Sequence, residues 1–576
     1  MPTMTMRSKG FRWFVRGPVR AKGYLFDDND KLFAGSELPG YFLDVADLGE
    51  LRRRLTRSDG SFAVIIDSED RVLAAVDRLR SIPLFHAGGG HDFAVADDAR
   101  GLVDEAAPLP LDPIASEEFL RVGYTLNATT LFSDVQQLKA GQLLAIAKQE
   151  GTEVKEQYSV HRKGDFRHEP DEVLMRELDD VYDGLTRRLI ASAQGRPLIV
   201  ALSGGYDSRS VLCCLKRAGF RDVVCYTYGK TDSFETRIAA RVASAVGYPL
   251  HVVEYTAEKW QRVVDSPEFA EFCRFASHDC AAPCVQELPA LEELSSRGLI
   301  PPDGVVVPGY CGDLLGGSQI PLEFRRGEPE RVLAQGIDEY IFTLFELFRR
   351  PVACEVRCQI LDRIHEFTAP FPSHDPESFS NVFEDWFTGH KVARFVVNAV
   401  RTYEWFDHEW RLPLWDRQLI EWWYRIPLPR RIHSVLYRKY LFERLFEPQG
   451  VAFISPQHAA EHRAAKGGLA ASIRCLGDGV RQTVRKAVPS PLLGVYRWIR
   501  DSLFDPRTFV NRNGWDELSS LITAKMPAEY RIDDFPSING VIAAWYLLRL
   551  RGVATQGFDR DVRGLIAAPP LERNFP

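Results

Sequence analysis

Cysteine is missing from the first 212 residues of this chain. The sequence has 576 residues and 10 cysteines, of which the first is Cys213. Chemistry that needs a thiol nucleophile is therefore excluded from this N-terminal stretch. The adjacent Cys213 and Cys214 suit structural disulfides poorly, so we expect free thiols and a reducing, cytoplasmic setting.

Long apolar runs, long basic runs and low-complexity tracts are also absent. No stretch approaches the roughly 18 apolar residues of a membrane helix, so no membrane insertion is expected. The net charge of -7, without a basic patch, favours a small-molecule partner over nucleic acid. A chain of 576 residues is too long for one ordinary core, which predicts two or more domains.

The clearest motif is a glycine-rich turn between an apolar strand and a helix. Residues 198–202 are apolar on both faces, as in a buried parallel strand, and residues 203–208 read SGGYDS. Two glycines let successive N–H groups converge on one anion, at which the helix N-terminus also points. The pattern predicts a phosphate cradle formed by Ser203, Gly204, Gly205, Asp207 and Ser208.

This cradle is not of the Walker type. The one Gly-Lys-Thr sequence starts at Gly229, and Val224 occupies the place of the glycine that the motif needs five residues earlier. Residues 222–229 and 250–255 have strand patterns, with a helical pattern over 235–246 between them. Such alternation indicates a doubly wound parallel sheet, with its ligand at the C-terminal ends of the strands. Gly229, at one of these ends, is expected near a nucleotide base.

The SGGYDS turn resembles the loop of the PP-loop ATP pyrophosphatases, which split ATP between its α and β phosphates. The resemblance implies that the loop holds pyrophosphate and that Asp207 meets Mg²⁺. Residues 305–318, VVVPGYCGDLLGGS, resemble the asparagine synthetase segment that closes over pyrophosphate. This second resemblance implies a nucleotide-binding bend at Gly312 and a second magnesium ligand at Asp313.

Two further segments resemble asparagine synthetases. Residues 408–416, HEWRLPLWD, are similar to the family signature Glu-x-Arg-x-Pro-x-x-Asp, which implies that Glu409 helps to deprotonate the incoming amine. Residues 437–446 have a helical pattern in which Lys439 matches the family's lysine over the adenylate and pyrophosphate. Arg438 leaves that assignment open by one position. The structural alternatives are an ion pair between Glu409 and Arg411 and a solvated helix face.

The first domain resembles the class II glutaminase domain of asparagine synthetases, on the segments GSFAVIID, DRLRSIPLFH and LFSDVQQLKAGQLLAI. The resemblance implies an N-terminal-nucleophile fold, with two antiparallel sheets between helices. These glutaminases need a cysteine at the mature N-terminus, whereas Pro2 follows Met1 here. The family's Asn-Gly-Glu glutamine-binding stretch has no counterpart either. We therefore expect a retained scaffold without glutamine hydrolysis.

The fold expected is α/β and α+β with two main domains. Residues 1–160 form the glutaminase-like domain, and residues 170–450 form an ATP-binding synthetase domain with a doubly wound parallel sheet. Residues 451–576 form a helical C-terminal extension packed on the synthetase domain. Cys273, Cys280 and Cys284 lie near His278 but have no CxxC spacing, which favours buried free thiols over a zinc site.

The resemblance implies ATP-dependent amide formation through an acyl-adenylate, with ATP and Mg²⁺ as cofactors. The expected partners are a small-molecule or sugar carboxylate and a nitrogen donor, which is an amine or ammonia, with a separate glutaminase as one source. The SGGYDSR form resembles relatives from bacterial surface-polysaccharide pathways, which implies amidation of a sugar uronic acid. Three alternatives stay open: a ligase using an internal or peptide amine, as in β-lactam synthetases and lasso-peptide cyclases; a nucleic-acid-modifying PP-loop enzyme; and a non-catalytic binding protein of the same fold.

Overall fold

The computed structural model describes residues 7, 9–89, 92–104, 109–159, 163–231, 233–454, 515–527 and 529–554. Met1, Pro2 and most of the predicted C-terminal extension lie outside these residues. The domain boundaries proposed at 160, 170 and 451 stay predictions.

The N-terminal part is built on two antiparallel sheets. One has seven strands in the order β1-β2-β4-β5-β9-β10, with β3 beside β2, and the other has the order β7-β6-β8. The strands and helices are β1 (Trp13–Arg16), β2 (Val19–Phe26), β3 (Leu32–Ala34), α1 (Leu48–Arg57), β4 (Asp59–Asp67), β5 (Arg71–Val76), β6 (Phe85–Gly89), β7 (Asp92–Ala96), α2 (Pro113–Val122), β8 (Val135–Gln137), β9 (Gln142–Ala147) and β10 (Glu153–Gln157).

The apolar run in β4 reflects burial of both faces of the larger sheet. Phe62, Val64 and Ile66 pack into a core that includes Leu51 of α1. Ala63 and Ile65, which alternate with these residues along the strand, face the main core on the other side of the sheet. Side chains alternate between faces along a strand, so every residue of this run needs an apolar side chain.

The second part is built on a four-stranded parallel sheet in the order β13-β12-β11-β14. Its strands alternate with helices, so the doubly wound α/β arrangement predicted from the sequence is confirmed. The elements are α3 (Asp171–Ala193), β11 (Leu198–Ala201), α4 (Asp207–Arg217), β12 (Val223–Gly229), α5 (Phe234–Val246), β13 (Leu250–Glu254), α6 (Ala257–Asp265), α7 (Pro267–Ser277), α8 (Leu288–Ser296) and β14 (Val305–Pro308).

The rest of the described chain is helical. The α-helices are α9 (Gly312–Leu315), α10 (Leu322–Arg326), α11 (Pro329–Gln335), α12 (Ile337–Phe342), α13 (Cys354–Thr368), α14 (Pro376–Phe387), α15 (Arg401–Trp405), α16 (Arg417–Trp423), α17 (Leu428–Arg431), α18 (Val435–Tyr440), α19 (Trp515–Thr523) and α20 (Ile538–Ala554). Thr388–Val396 and Leu441–Phe446 are π-helical, and short 3₁₀ helices occur at Gly35–Phe42, Ala99–Leu102, Val397–Val400, Pro413–Trp415, Ile432–Ser434, Glu447–Gln449 and Ile532–Asp534. Within the described residues, no helix combines the length and apolarity needed to cross a bilayer.

The N-terminal part, the part built on the parallel sheet and the last described helix meet at the buried side chain of Asp279. Arg100, in the 3₁₀ helix after β7, donates from Nε to Asp279 Oδ2 at 2.9 Å. Tyr546 of α20 donates its hydroxyl to Asp279 Oδ1 at 2.6 Å. Apolar residues of both parts also belong to one continuous core. The two parts are therefore joined by shared packing as well as by the chain.

Candidate functional site

The SGGYDS loop is held in shape by its own serines. The Ser203 backbone N–H donates to Ser208 Oγ at 3.1 Å, and the Gly205 N–H donates to Ser203 Oγ at 3.1 Å. The two serine hydroxyl oxygens lie 3.1 Å apart. These contacts close the chain between β11 and α4 into a tight turn whose polar groups lie close together.

Two glycines allow neighbouring segments to approach this turn. A Cβ on Gly309, just after β14, would lie 2.3 Å from the Ser208 backbone nitrogen. A Cβ on Gly204 would lie 3.0 Å from the Cα of Glu235, at the start of α5. Ala201 pairs in parallel with Pro308, so β11 and β14 end at the same edge of the sheet. The turn is thus enclosed by the segments that follow its neighbouring strands.

Asp207 is the buried carboxylate at the centre of this edge. It begins α4, two residues earlier than a helix placed wholly after the loop would begin. Tyr437 donates its hydroxyl to Asp207 Oδ1 at 2.6 Å, and the Asp313 backbone N–H donates to Oδ2 at 2.9 Å. Burial, together with repulsion from the Asp313 carboxylate, raises the pKa of Asp207 to about 8.

Asp313 and Gly312 belong to the short helix α9 that follows β14. The Asp313 side chain is exposed, whereas Asp207 is buried. A Cβ on Gly312 would lie 2.7 Å from the Tyr437 hydroxyl and 3.0 Å from Asp207 Oδ2, so the position needs a glycine. The structure therefore brings Asp207, Gly312 and Asp313 together at one point. The two aspartates supply the pair of carboxylates that could bind a hard cation.

Gly229 lies at the same edge of the sheet, where β12 ends. Its φ of +123° is strained for any residue with a side chain. Its carbonyl accepts a hydrogen bond from the Tyr255 N–H at 2.9 Å. This position agrees with the geometry expected from the strand order, and its contact with a nucleotide base stays a prediction.

Glu409 is not brought to the aspartate pair. It lies beside β14, where its carbonyl accepts from the Val306 N–H at 2.8 Å. Its carboxylate is bound by Arg196 Nη2 at 2.6 Å and by Arg411 Nη2 at 3.0 Å. Burial acts to raise the pKa of Glu409, but Arg411 and Arg196 hold it below its usual value.

The position of Arg196 shows which end of the sheet this carboxylate occupies. Arg196 precedes β11, whereas Ser203 follows it, so Glu409 binds a residue at the opposite end of that strand. A four-residue strand is about 13 Å long. In this conformation Glu409 forms the ion pair with Arg411 that the sequence analysis gave as the alternative to a catalytic role. Its role as a base stays a prediction.

Lys439 is also directed away from Asp207. Its Nζ lies 3.0 Å from Asp171 Oδ2 at the start of α3, and the side chain is about one-third exposed. Lys439 and Tyr437 are two positions apart on α18, and residues at this spacing do not share a helix face. Arg438 donates to the His433 carbonyl. The contact of Lys439 with the adenylate stays a prediction.

Tyr437 and a buried cluster around Glu287 are not predicted from the sequence. Tyr437 lies in the helical segment 437–446, whose pattern does not show which of its faces turns to the site. Glu287 accepts hydrogen bonds from Tyr226, from Tyr310 at 3.2 Å and from Tyr403 at 3.0 Å. Burial raises the pKa of Glu287. No spacing in the sequence indicates this cluster, because its members come from four distant segments.

The described residues contain no group of three His, Cys, Asp or Glu side chains placed to hold a metal ion. Cys273 and Cys280 are buried free thiols, and burial raises the pKa of Cys273. Magnesium differs from zinc in needing only one or two carboxylates when phosphate oxygens complete its shell. Asp207 and Asp313 meet that requirement.

Comparison with known proteins shows two family matches and several partial relatives. Residues 45–159 match the family described as "Glutamine amidotransferase domain", and residues 181–272 match "Asparagine synthase". A tRNA-specific 2-thiouridylase from Deinococcus radiodurans is 26% identical over 24% of this chain and 40% of its own length. A 7-cyano-7-deazaguanine synthase from Kineococcus radiotolerans is 42% identical over 10% of this chain and 26% of its own length. The chain thus spans between about a quarter and two fifths of these curated relatives.

Two solved structures overlap with parts of the chain. An NH₃-dependent NAD synthetase from Campylobacter jejuni covers 34% of this chain and 95% of its own, with 13% identity and a TM-score of 0.19. A glutamine phosphoribosylpyrophosphate amidotransferase from B. subtilis covers 42% and 71%, with 12% identity and a TM-score of 0.18. Scores this low carry no functional information. The two family matches show that the chain has an asparagine synthetase-like arrangement, with a glutamine amidotransferase domain followed by an asparagine synthase domain of the PP-loop type.

Proposed function

We propose that this chain uses ATP to couple a carboxylic acid to a nitrogen nucleophile through an acyl-adenylate. The observation that carries the proposal is the meeting of Asp207, Asp313 and the SGGYDS turn at the C-terminal edge of a parallel sheet. A helix N-terminus and clustered backbone N–H groups favour phosphate, and the two carboxylates favour a divalent cation beside it.

The residues at this edge suit Mg²⁺. Asp207 is buried and repelled by Asp313, which raises its pKa to about 8 in the protein alone. A cation shared by both carboxylates would replace this repulsion with attraction. When bound, Mg²⁺ supplies positive charge that offsets the charge of the phosphate oxygens. Asp207 and Asp313 are the residues that would hold it.

The reaction has two steps. A substrate carboxylate oxygen bonds to the α-phosphorus, and the bond to the β-phosphate oxygen breaks, which releases pyrophosphate. Ser203, Gly204, Gly205 and Ser208 bind this leaving group, while Tyr437 keeps the Asp207 carboxylate in place. The nitrogen nucleophile then bonds to the acyl carbon, AMP leaves, and a base takes the proton from nitrogen. Glu409 is proposed as that base and Lys439 as a cation near the phosphates, roles for which both side chains must leave the ion pairs that they form in this conformation.

The finer assignments rest on resemblance. A sugar uronic acid is the proposed acid, and ammonia or an amine is the proposed nucleophile. We place the reaction in the cytoplasm, where ATP is present and thiols stay reduced. One relative, the 2-thiouridylase, has a name that describes it as specific for tRNA. The net charge of -7 of the present chain favours a small acid over RNA.

The test is release of pyrophosphate by the full chain with ATP and Mg²⁺, screened over sugar and small carboxylic acids with ammonium or glutamine. We expect release that depends on the acid and is abolished in D207A. Release of AMP without ammonium or glutamine would favour an internal or peptide amine. A folded chain that neither binds Mg²⁺-ATP nor releases pyrophosphate with any acid would contradict the proposal.

A further inference from the structure

Arg209 is a fully buried arginine in the first turn of α4, directly behind the SGGYDS turn. Its Nη2 donates to the Gly204 carbonyl at 3.1 Å. Its Nη1 donates to the carbonyls of Val451 and Phe453, at 3.0 and 2.7 Å. All of these acceptors are backbone carbonyls. The guanidinium therefore joins the turn to the segment at 451–453.

This cation has no acidic partner among the described residues. Its Nε is buried without a hydrogen-bond partner there. The rings of Tyr206 and Phe446 lie 5.4 and 5.0 Å from the guanidinium carbon. The nearby carboxylate of Asp207 bonds instead to Tyr437 and to the Asp313 backbone.

The carbonyl acceptors and the two aromatic rings offset part of the cost of burying this charge, but no anion among the described residues neutralises it. A helix N-terminus carries partial positive charge, so a cation in the first turn is repelled by its own helix. Burial adds a desolvation cost that no ion pair offsets. A pyrophosphate group in the turn would bring negative charge to this end of the helix and remove the imbalance.

We propose that Arg209 is a positioning residue for the phosphate cradle, which it supports from behind by fixing the Gly204–Gly205 peptide and supplying a buried positive charge. The inference rests on the proposed function, because it assumes that the turn binds pyrophosphate. Arg209 does not contact the phosphate itself. It acts through Gly204 and through the field of its charge.

The peptide geometry explains the first effect. A trans peptide is planar, so the Gly204 carbonyl and the Gly205 N–H point in opposite directions. The carbonyl is held by the buried Arg209, and the N–H points outward to Ser203 Oγ. Two glycines in succession could rotate this peptide at little cost. Without Arg209, the Ser203 hydroxyl alone would hold the direction of the Gly205 N–H.

The experiment measures binding of inorganic pyrophosphate with Mg²⁺ to the full chain by titration calorimetry, for the unaltered protein and R209M. We expect R209M to weaken binding by about tenfold, the size typical of one charged hydrogen-bonding partner. The dependence of Kd on salt should also become less steep, because one positive charge near the anion is lost. A purely structural role would not change this salt dependence.

The matched control is R394M. Arg394 is also fully buried and donates to the backbone carbonyls of Thr125 and Asn127, far from the turn in sequence. We expect R394M to lower the thermal unfolding temperature while pyrophosphate affinity stays within about twofold.

If R209M does not fold, R209K and R209Q decide between charge and shape. Lysine keeps the charge, so we expect affinity within about threefold, whereas glutamine should lose about tenfold. Equal affinities of R209K and R209Q, or of R209M and the unaltered protein, would overturn the inference alone. An unaltered chain that binds neither pyrophosphate nor ATP would refute the proposed function as well.

Discussion

Replacing Tyr437 by phenylalanine removes one oxygen from the centre of the candidate site. The Tyr437 hydroxyl donates to Asp207 Oδ1 at 2.6 Å, and the tyrosine is 1% exposed. Phenylalanine preserves the ring, which packs edge-on against Trp423 at 5.9 Å. The change therefore tests the hydrogen bond rather than the packing.

The expected magnitude follows from the burial of both partners. A hydrogen bond to a charged group contributes about 1.5–3 kcal/mol, and water cannot replace the lost donor easily at a buried position. The Asp207 carboxylate would then be held by backbone N–H groups of α9 alone. If a correctly oriented Asp207 is needed for the first step, the rate should fall by about ten- to hundredfold.

The assay is pyrophosphate release with Mg²⁺-ATP and the acid identified by screening. Y440F is the matched control, because Tyr440 is a buried tyrosine on the same helix whose hydroxyl bonds to Asp179 Oδ1 at 3.2 Å, away from Asp207. We expect Y440F to stay within about threefold of the unaltered rate. Equal rates for Y437F and the unaltered protein, or equal losses in Y437F and Y440F, would refute the reasoning.

Two further changes test the packing of the turn and the titration of the N-terminal part. G309A should lower the activity, and it should lower the free energy of unfolding by about 1–3 kcal/mol, because the new Cβ would lie 2.3 Å from the Ser208 nitrogen. The control is G389A, whose new Cβ would have no atom within 4 Å and should leave urea unfolding nearly unchanged. Similar effects of the two changes would contradict this reasoning. Burial, with a contribution from Lys155, lowers the pKa of His86 from 6.5 to about 4. As the pH falls, His86 therefore takes up its proton in the unfolded chain before it does so in the folded protein. The free energy of unfolding, which is highest above about pH 6.5, should be lower by about 2 kcal/mol at pH 5. Between about pH 7.5 and pH 5, the unfolding temperature of H86Q should fall less than that of the unaltered protein. Equal falls in the two proteins would exclude His86 as the cause.

The elements around the turn were predictable because their patterns are local. The strand predicted at 198–202 and the helix predicted over 235–246 each differ by one residue from β11 and α5 in the structure. The resemblance to asparagine synthetases implied that Gly312 and Asp313 stand near Asp207. The structure brings them together because β11 and β14 are parallel neighbours that end at the same edge of the sheet. A family motif therefore predicted this part of the site, and the strand order explains it.

Side-chain direction was not predictable in the same way. A match to a family motif places a residue on an element, but the helix face decides what that residue touches. On α18 the face towards Asp207 carries Tyr437, whereas Lys439 reaches Asp171. The backbone carbonyl of Glu409 accepts a hydrogen bond from β14. Its carboxylate, however, is bound by arginines, at the end of β11 that lies away from the SGGYDS turn. Such competition between distant charges leaves no periodic signal in a sequence.

The contacts at Asp279 bear on how this molecule can be divided. Arg100 comes from the N-terminal part and Tyr546 from the last described helix, and both bind one carboxylate that is 0% exposed. Removal of the N-terminal part would leave the Asp279 carboxylate buried without its cation, a change that typically costs about 3–5 kcal/mol. Removal of α20 would take away one hydrogen bond and leave the ion pair with Arg100. The pieces should consequently melt together instead of in turn. The cysteine-free first domain therefore has a structural role: its Arg100 pairs with the buried Asp279 of the part that contains the parallel sheet.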